Sequence, residues 1–286
     1  MTRYDELMNF RFPEVVHHFT RRDTILYALG VGAGDPPTDA GELRHVYEDG
    51  LVALPTMAAV LAYPGNWYRT LPTGLNDNLI VHASEHIELH RRLPVEGSVK
   101  AVPRIVAIHD KGEGRGSLVV SRRTIVDEAT NEALATVTQT AFCRGDGGLG
   151  GPIMAPPKPH SIPERAADCE VEMTTSPRSA IIYRLSGDDN PLHIDPVFAQ
   201  KAGFEKPILH GLSTYGHVGR AILRAFCANG SDTIATMDCR FTAPVLPGDR
   251  LTISLWRDGN LLSFRASAGG RVAIDNGIAS LAALRD

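Results

Sequence analysis

Tyr183-Arg-Leu-Ser-Gly-Asp-Asp-Asn-Pro-Leu-His193 is the stretch that decides how the second half of this chain folds and what chemistry it can perform. A helix cannot run through it, because Pro191 has no N–H and biases the residue before it away from the α region, while Gly187 accepts backbone angles that other residues avoid. The chain must turn here. A turn can bring the carboxylate of Asp188 and the imidazole of His193 to one point, where they could hold and activate a water molecule by general acid–base catalysis.

Short helices are predicted on both sides of this turn. Residues 178–186 carry apolar side chains at helical spacing, and we expect them to form a short buried helix. After the turn, Asp195 followed by Pro196 is typical of a helix N-terminus, and Gly203 is expected to end that helix.

A longer helix is predicted from Leu212 to about Ala228, because an apolar stripe continues through that segment. His210 and Gly211 stand where it begins. A helix start presents unpaired N–H groups and a partial positive charge, which can stabilise an oxygen that becomes negative during a reaction. Gly211 would let a substrate approach the backbone closely. The second half therefore offers an acid–base pair and an oxyanion-binding element.

Each of these features has a simpler explanation when it is taken alone. An Asp before Asn-Pro is commonly a turn former, and a single His is seldom a catalyst. His210 and His217 could suggest a metal site, but no Cys or carboxylate stands at a fitting offset, so we expect no metal. The joint pattern Gly-Asp-x-Asn-Pro-Leu-His followed by Ile-Leu-His-Gly is more specific than its parts and favours catalysis.

A Gly/Pro-rich segment divides the chain into two halves. Residues 145–166 read as a linker between a first unit at 1–144 and a second unit at 167–286. The halves are weakly alike, since residues 25–29 resemble residues 181–185 at an offset of 156. Helices followed by an antiparallel run of strands, twice, predict an α+β fold. The strands are expected at 79–90, 98–110, 115–127 and 132–143 in the first half, and at 233–243, 250–257, 260–268 and 271–283 in the second.

Composition excludes some classes of function. A chain of 286 residues with 43% hydrophobic residues can bury one large core or two moderate cores. Its net charge is −4 and it has no basic patch with interleaved aromatics, so a nucleic-acid partner is not expected. No apolar run approaches the ~20 residues of a membrane span.

The sequence also suggests a cellular compartment. We expect neither an apolar signal core at the N-terminus nor a peroxisomal address at the C-terminus. The four cysteines form no close pair and are interpreted as free thiols in a reducing cytoplasm.

Beyond the central motif, the chain resembles the type 2, (R)-specific enoyl-CoA hydratases of the MaoC-like dehydratase family, and is similar to the hydratase part of the peroxisomal multifunctional enzyme of β-oxidation. The resemblance covers nearly the whole chain. It implies a double hot-dog fold, two units side by side that each wrap a sheet around one helix, and a homodimer. The segments that carry it occur in the same order as in that hydratase: Asp23–Ala33, Leu54–Thr56, Asp110–Gly112, Tyr183–Gly203, Lys206–Leu212 and Arg240–Phe241.

The resemblance implies reversible addition of water to a trans-2-enoyl-CoA, giving a (3R)-3-hydroxyacyl-CoA. Asp188 and His193 would hold the water between them, and the sequence leaves open which of the two is the base. Asn190 would fix the water or the aspartate through its amide, and the Gly211 N–H would receive the thioester oxygen. This reaction requires no metal or redox cofactor. The CoA thioester is itself the substrate.

Further substrate contacts are implied by the same resemblance. Ala83 replaces a glycine of the family, which puts close backbone approach at that point in doubt, and Asp189 is expected to face solvent. The implied substrate-binding residues are His82, Ala83, Lys111, which would bind the CoA part, Asp189, Pro191, Leu192 and Phe241.

The repeat predicts that the first half is chemically silent. The offset of 156 places Gly32 opposite Asp188 and Pro37 opposite His193, and neither can titrate. Pro55 stands where an N–H donor would be needed. We therefore expect the first unit to shape the pocket for the acyl chain.

Other functions remain open. The same machinery could act on an acyl-carrier-protein thioester or on a steroid side-chain or branched enoyl-CoA. A thioesterase shares the fold, although the Asp-x-Asn-Pro-x-His motif belongs to hydration. A non-catalytic acyl-CoA-binding or assembly protein is the alternative from another class, and it would need neither Asp188 nor His193.

Overall fold

A single antiparallel sheet of eleven strands organises the molecule, which a computed structural model describes for residues 2–227 and 232–285. The strands run from short half-buried segments at the two edges to long central ones. They are β1 (Val15–Phe19), β2 (Ile80–Leu89), β3 (Gly97–Ala101), β4 (Arg104–Asp110), β5 (Ser117–Asp127), β6 (Ala133–Cys143), β7 (Cys169–Thr174), β8 (Thr233–Phe241), β9 (Arg250–Asp258), β10 (Leu261–Ala268) and β11 (Arg271–Ala282).

The order of the strands is symmetric about the middle of the sheet. It reads β1-β3-β5-β6-β2-β8-β11-β10-β9-β7, with β4 paired to β5. Each half supplies one side, and β2 pairs with β8 where they meet, with Ser84 opposite Arg240 and Glu88 opposite Thr236. The α+β fold and the double hot-dog expected from the sequence are confirmed, with the two sheets fused into one.

Helices cover one face of this sheet, and one of them is much longer than the rest. The bounds are α1 (Arg3–Met8), α2 (Arg21–Gly30), α3 (Ala40–Leu43), α4 (Trp67–Thr70), α5 (Ser179–Tyr183), α6 (Pro196–Lys201) and α7 (Gly211–Phe226). Asp195 caps α6 and Pro196 is its first residue, as predicted.

The two halves differ most in their central helix. In the second half α7 has 16 residues, whereas the first half has only a 3₁₀ turn at Pro55–Ala59 in the corresponding place. The 3₁₀ turn is followed by Ala62 and Gly65 with positive φ, conformations that interrupt a helix. The first unit is therefore not a sheet wrapped around a full helix.

The core is built around α7. Val218, Ala221 and Ile222 are fully buried, so most of the predicted apolar stripe faces the sheet. The helix also lies close to the first unit, because a Cβ on Gly216 would stand 2.3 Å from a methyl of Val31. One hydrophobic cluster consequently extends across both units.

Several sequence predictions need correction. The edge strands β1 and β7 and the helix α1 were not predicted, and the expected strand 98–110 is divided into β3 and β4. The helix expected at 178–186 is α5 plus a 3₁₀ turn, and it is not buried as expected. Ile181 and Leu185 are more than half exposed, because the helix turns Ala180 and Tyr183 to the core instead.

The segment 145–166 contains neither helix nor strand, as its composition predicted. It nevertheless packs on the first unit, since Asp146 and Leu149 are buried and the Asp110 carboxylate accepts the Leu149 N–H at 2.6 Å. The domain limits stay predictions. Met1 and Asp286, at the limits of the two units, and Ala228, at the end of the predicted long helix, lie outside the described residues. Within those residues, every helix is too short or too polar to cross a membrane.

Candidate active site

The predicted turn between Gly187 and His193 is present and held by local hydrogen bonds. Gly187 has φ +111°, a conformation that favours glycine. The Asn190 side-chain oxygen then accepts the Leu192 N–H at 3.1 Å and caps a 3₁₀ turn at Pro191–His193. Asn190 thus shapes the turn with its oxygen, and its amide nitrogen has no partner in the described parts of the chain.

This turn brings Asp188 and His193 together. A carboxylate oxygen of Asp188 and one ring nitrogen each of His193 and His210 all lie within 4.8 Å of one another. The Nδ1 of His193 is 2.9 Å from the Ile208 carbonyl oxygen, so it carries the proton and donates, which leaves Nε2 as an acceptor when the ring is neutral. Burial lowers the pKa of His193, although the Asp188 carboxylate and the Ile208 carbonyl oppose that shift. The pair therefore combines a carboxylate with a neutral imidazole.

His210 is a third member of this cluster, whereas sequence reasoning placed it at the start of a helix and set it aside as a metal ligand. Its ring stacks on that of His193, with centroids 3.7 Å apart and an interplanar angle of 28°. Its Nε2 donates to the backbone carbonyl of Asp188 at 3.2 Å. Burial first, and the neighbouring His193 second, lower its pKa to about 2, so the ring is neutral. A buried imidazole that anchors the Asp188 backbone is visible only once the turn and the helix start are brought together.

A carboxylate and two histidines are also a set of donors found at metal sites. Here the two rings lie nearly parallel, so their in-plane lone pairs run side by side instead of converging on one point. The Nε2 of His210 is already occupied by the Asp188 carbonyl. This arrangement suits a bound water molecule better than a metal, and the expectation that no metal takes part stays a prediction.

The start of α7 closes the second side of the site. His210 is its N-cap and Gly211 its first residue, as predicted. A Cβ added to Gly211 would lie 3.3 Å from the ring of Phe241, so this ring covers the glycine closely. The first N–H groups of a helix have no partner within the helix. A thioester oxygen could be received here.

The first unit contributes the opposite wall. The ring of His82 lies 4.6 Å from that of Phe241, across the junction of β2 and β8. Its Nε2 is 3.0 Å from the carboxylate of Glu85, which is only 1% exposed. Ala83 is half-buried beside it.

Sequence reasoning missed Glu85, Tyr63 and Arg123. Arg123 is buried, donates to the Ala59 and Leu61 carbonyls and lies over the Tyr63 ring, 5.7 Å from its centroid. Burial, with Asp188 second, raises the pKa of the Tyr63 hydroxyl. The signal available in the sequence was one Arg and one Glu at buried-face positions of strands, where charged residues are rare.

The remaining predicted residues lie at or outside the rim. Asp189 is exposed, as expected, while Pro191 and Leu192 are half-buried within the turn. Lys111 is exposed between β4 and β5, with its Nζ 4.2 Å from the centre of the Phe142 ring. Phe142 pairs with Val81 at the end of the sheet where His82 lies, so Lys111 belongs to the same end of the molecule.

The corresponding place in the first unit has no acid–base pair. Gly32 and Pro37 occupy the positions of Asp188 and His193. Gly32 has φ +79°, and a Cβ there would meet the Nε2 of His217 at 2.8 Å, so a larger residue has no room. The first unit therefore has no counterpart of Asp188 and His193 at these two positions.

Two family descriptions match the chain, one for each half. Residues 159–276 match the MaoC like domain, and residues 17–145 match the MFE-2 hydratase 2 N-terminal domain.

Known proteins match it along most of its length. It is 38% identical to 3-hydroxyacyl-thioester dehydratase Y of Mycobacterium tuberculosis, over 92% of this chain and 93% of that protein. It is also 38% identical to the enoyl-CoA hydratase ChsH3 of the same organism, over 90% of each. Among solved structures, a MaoC-like dehydratase from Phytophthora capsici superimposes with a TM-score of 0.85 at 28% identity, covering 99% of both chains.

Proposed function

Since the chain belongs to the MaoC-like dehydratase family and carries the hydratase 2 N-terminal domain, we propose that it is a hydro-lyase that adds water reversibly to trans-2-enoyl-CoA, giving (3R)-3-hydroxyacyl-CoA in fatty-acyl metabolism. The observation that carries this proposal is the gathering of the Asp188 carboxylate and the His193 imidazole within 4.8 Å, beside the start of α7. Relatives named as enoyl-CoA hydratases support it.

The reacting water would lie between Asp188 and His193. Both groups accept hydrogen bonds, because Asp188 is a carboxylate and the His193 Nδ1 proton is committed to Ile208. A water molecule can donate one hydrogen to each and direct an oxygen lone pair at C3 of the substrate. One of the two removes the proton, and the same group or the other delivers a proton to C2. Each positioned acid or base typically contributes about 10²- to 10⁴-fold.

The negative charge that develops on the thioester oxygen would be received at the start of α7. The Gly211 N–H is the donor we assign, and a donor of this kind is typically worth about 3–4 kcal/mol. Phe241 lies against Gly211 and His82 against Phe241, so both rings can hold the flat enoyl thioester in place. No metal or redox cofactor enters this scheme.

Lys111 would bind the CoA moiety. It is exposed at the end of the sheet where β2 begins, and its ammonium can approach phosphate groups from solvent. The acyl chain would point the other way, into the wall that the first unit provides. The first unit has a short 3₁₀ turn at Pro55–Ala59 in place of a full helix, and this difference supports the expectation that the first unit shapes the acyl pocket.

An optical assay with product analysis tests the proposal. Purified protein is mixed with trans-2-enoyl-CoA thioesters of increasing chain length and branching, and loss of the conjugated absorbance is followed. The expected product is the (3R) isomer. An (S) product, or no turnover at any chain length, would contradict the proposal.

The names of the relatives differ in the carrier that they give for the acyl group. The similar protein named 3-hydroxyacyl-thioester dehydratase Y has a name that does not specify CoA. The same acyl group should therefore be offered on CoA and on acyl carrier protein. A higher kcat/KM on CoA supports our proposal, and the reverse result supports a carrier-protein dehydratase.

The homodimer and the cytoplasmic location stay predictions. Sedimentation of the purified chain tests the first, and fractionation of producing cells tests the second.

A further inference from the structure

A large cavity lies at the end of α7 away from Asp188 and His193. Its volume is about 650 Å³, within the range of small-molecule sites. Leu223 and Cys227 at the end of α7 line it, whereas Gly211 at the start of α7 belongs to the candidate active site. Leu223 is twelve residues after Gly211 along α7, a rise of about 18 Å, so this cavity is distinct from the active site.

The cavity occupies the place in the first unit that the active site occupies in the second. Pro55, which begins the 3₁₀ turn, lines it, and Gly211 begins α7 in the corresponding place. Asp39 caps α3 as Asp195 caps α6. The cavity is the symmetry-related counterpart of the active site, and it offers space without the catalytic residues.

Its wall combines an apolar floor with cationic groups. Leu89, Leu93 and Leu223 supply the floor, and four arginines line the remainder together with three acidic residues. Of the acids, Glu42 is paired with Arg220 at 2.6 Å and Asp39 caps α3, while Asp232 completes the set. The other three arginines lining the cavity are Arg44, Arg92 and Arg224.

Two observations indicate that cationic groups face a ligand space. The Nε of Arg44 is buried without a hydrogen-bond partner in the described parts of the chain. Arg224 is exposed at the mouth, on the last turn of α7. Burial first, and the Asp232 carboxylate second, raise the pKa of the Cys227 thiol to about 11, while Arg257, Arg44 and Arg92 act against that rise, so charges of both signs lie near this thiol.

We propose that this cavity is a second, non-catalytic site that binds an acyl chain with an anionic head, the chemistry that fatty acids and acyl-CoA thioesters share. The apolar floor would take the chain. Arg44 and Arg224 would hold the carboxylate or phosphate, because guanidinium groups bind both through paired hydrogen bonds. Gly32 and Pro37 stand where the dyad would be, so a bound thioester would not react. This site does not depend on the proposed hydration.

Calorimetric titration with decanoate and with decanoyl-CoA tests the proposal. Both are saturated, so neither can be hydrated. The variant carries Arg44→Gln and Arg224→Gln together, and its control carries Arg271→Gln, an exposed arginine that does not line the cavity. We expect the double variant to lose at least about tenfold in affinity for a cavity ligand, while the control binds normally and both keep their hydration kcat/KM within about twofold.

Cys227 reports where the ligand binds, because it lines the cavity. Its alkylation rate, measured by mass spectrometry, should fall several-fold when the ligand is present, with the alkylation of Cys169 unchanged. Binding of decanoate alone in the cavity would identify a fatty-acid site. Binding of two decanoyl-CoA molecules per chain would identify a thioester site. No binding of either, unchanged affinity in the double variant, or binding without Cys227 protection would overturn the proposal. The hydration assay is read separately, so failure here leaves the proposed function intact.

Discussion

At the scale of single residues, the site depends on two buried imidazoles that remain neutral. His193 and His210 are stacked and buried, and each donates one ring proton to a backbone carbonyl, Ile208 for the first and Asp188 for the second. The backbone thereby fixes both tautomers. His193 is left with its Nε2 as an acceptor beside the Asp188 carboxylate, which is the state that a water-activating base requires.

Replacing Asp188 by Asn tests the assignment of the dyad. The amide cannot accept a proton, so kcat for hydration is expected to fall by about 10²-fold or more, with a smaller change in KM. Asp189→Asn is the matched control, because Asp189 is adjacent but exposed, and it should retain activity within a fewfold. Steady-state kinetics measure both. Substantial turnover in the Asp188 variant would mean that a second catalytic site exists and that the first unit is not silent.

The lowered pKa of His210 predicts how the free energy of unfolding depends on pH. Its pKa falls from 6.5 to about 2 on folding, so below pH 6.5 the unfolded chain binds a proton that the folded chain does not. The stabilisation that the neutral ring gives is complete above pH 6.5 and is lost progressively down to about pH 2, at up to about 1.4 kcal/mol per pH unit.

Urea unfolding between pH 7.5 and pH 4.5 measures this dependence. The His210→Asn variant should show a shallower slope, whatever its absolute stability. His90→Asn changes an exposed histidine and is expected to leave the slope as it is in the natural chain. Equal slopes in all three proteins would count against a buried neutral His210.

At the scale of secondary structure, α7 performs two tasks, since its first residue belongs to the active site and its middle packs against the first unit. Gly216 and Gly219 make that contact possible, because a Cβ would stand 2.3 Å from Val31 in the first case and 2.6 Å from Thr56 in the second. Both glycines lower the intrinsic helix propensity. They are tolerated because they allow a close approach to the other unit.

Gly216→Ala is therefore expected to destabilise the protein although alanine is the better helix former. Helix propensity would contribute about 1 kcal/mol in favour, but Val31 is fully buried and cannot move away, and overpacking of this kind typically costs about 1–3 kcal/mol. We expect a net loss in the free energy of unfolding, measured by denaturant titration. Arg224→Ala on the exposed side of α7 should change it by less than about 0.5 kcal/mol. A more stable Gly216 variant would contradict the close packing.

At the scale of the whole molecule, a buried ion pair ties the units together. Arg220 of α7 meets Glu42 of α3 at 2.6 Å, with both side chains at most 8% exposed, and also donates to the Val31 carbonyl at 2.9 Å. The pair adds specificity to the junction in addition to the pairing of β2 with β8.

Glu42→Gln would leave the Arg220 charge buried without its counter-ion, and such a change typically costs about 3–5 kcal/mol. The control is Glu172→Gln, which breaks an exposed pair with Arg250 and should cost less than about 1 kcal/mol. Thermal and chemical unfolding measure both. Similar small losses in the two variants would show that the Glu42–Arg220 pair does not hold the units together.

Much of this fold could be predicted, although not evenly. Eight strands were predicted, and they account for the nine strands between the edges because one of them is divided into β3 and β4. The helix α6 and the start of α7 follow from strong local signals, Asp195-Pro196 and His210-Gly211. The edge strands β1 and β7 were missed because they are short and only half-buried, so their sequences carry little periodicity. Ile181 and Leu185 were wrongly placed in the core, since helical spacing cannot reveal which face another element covers.

The sequence by itself determined the turn at Asp188–His193, because Gly187, Asn190 and Pro191 act on the backbone within a few residues. It also determined that the first unit carries no matching dyad. Only the tertiary structure decided that His210 stacks on His193, that His82 contacts both Glu85 and Phe241, and that a charged cavity lies at the far end of α7. The contact of His82 with Phe241 joins the two units because β2 pairs with β8, which no local pattern encodes. The stack of His193 on His210 forms because the turn before α6 folds back onto the start of α7.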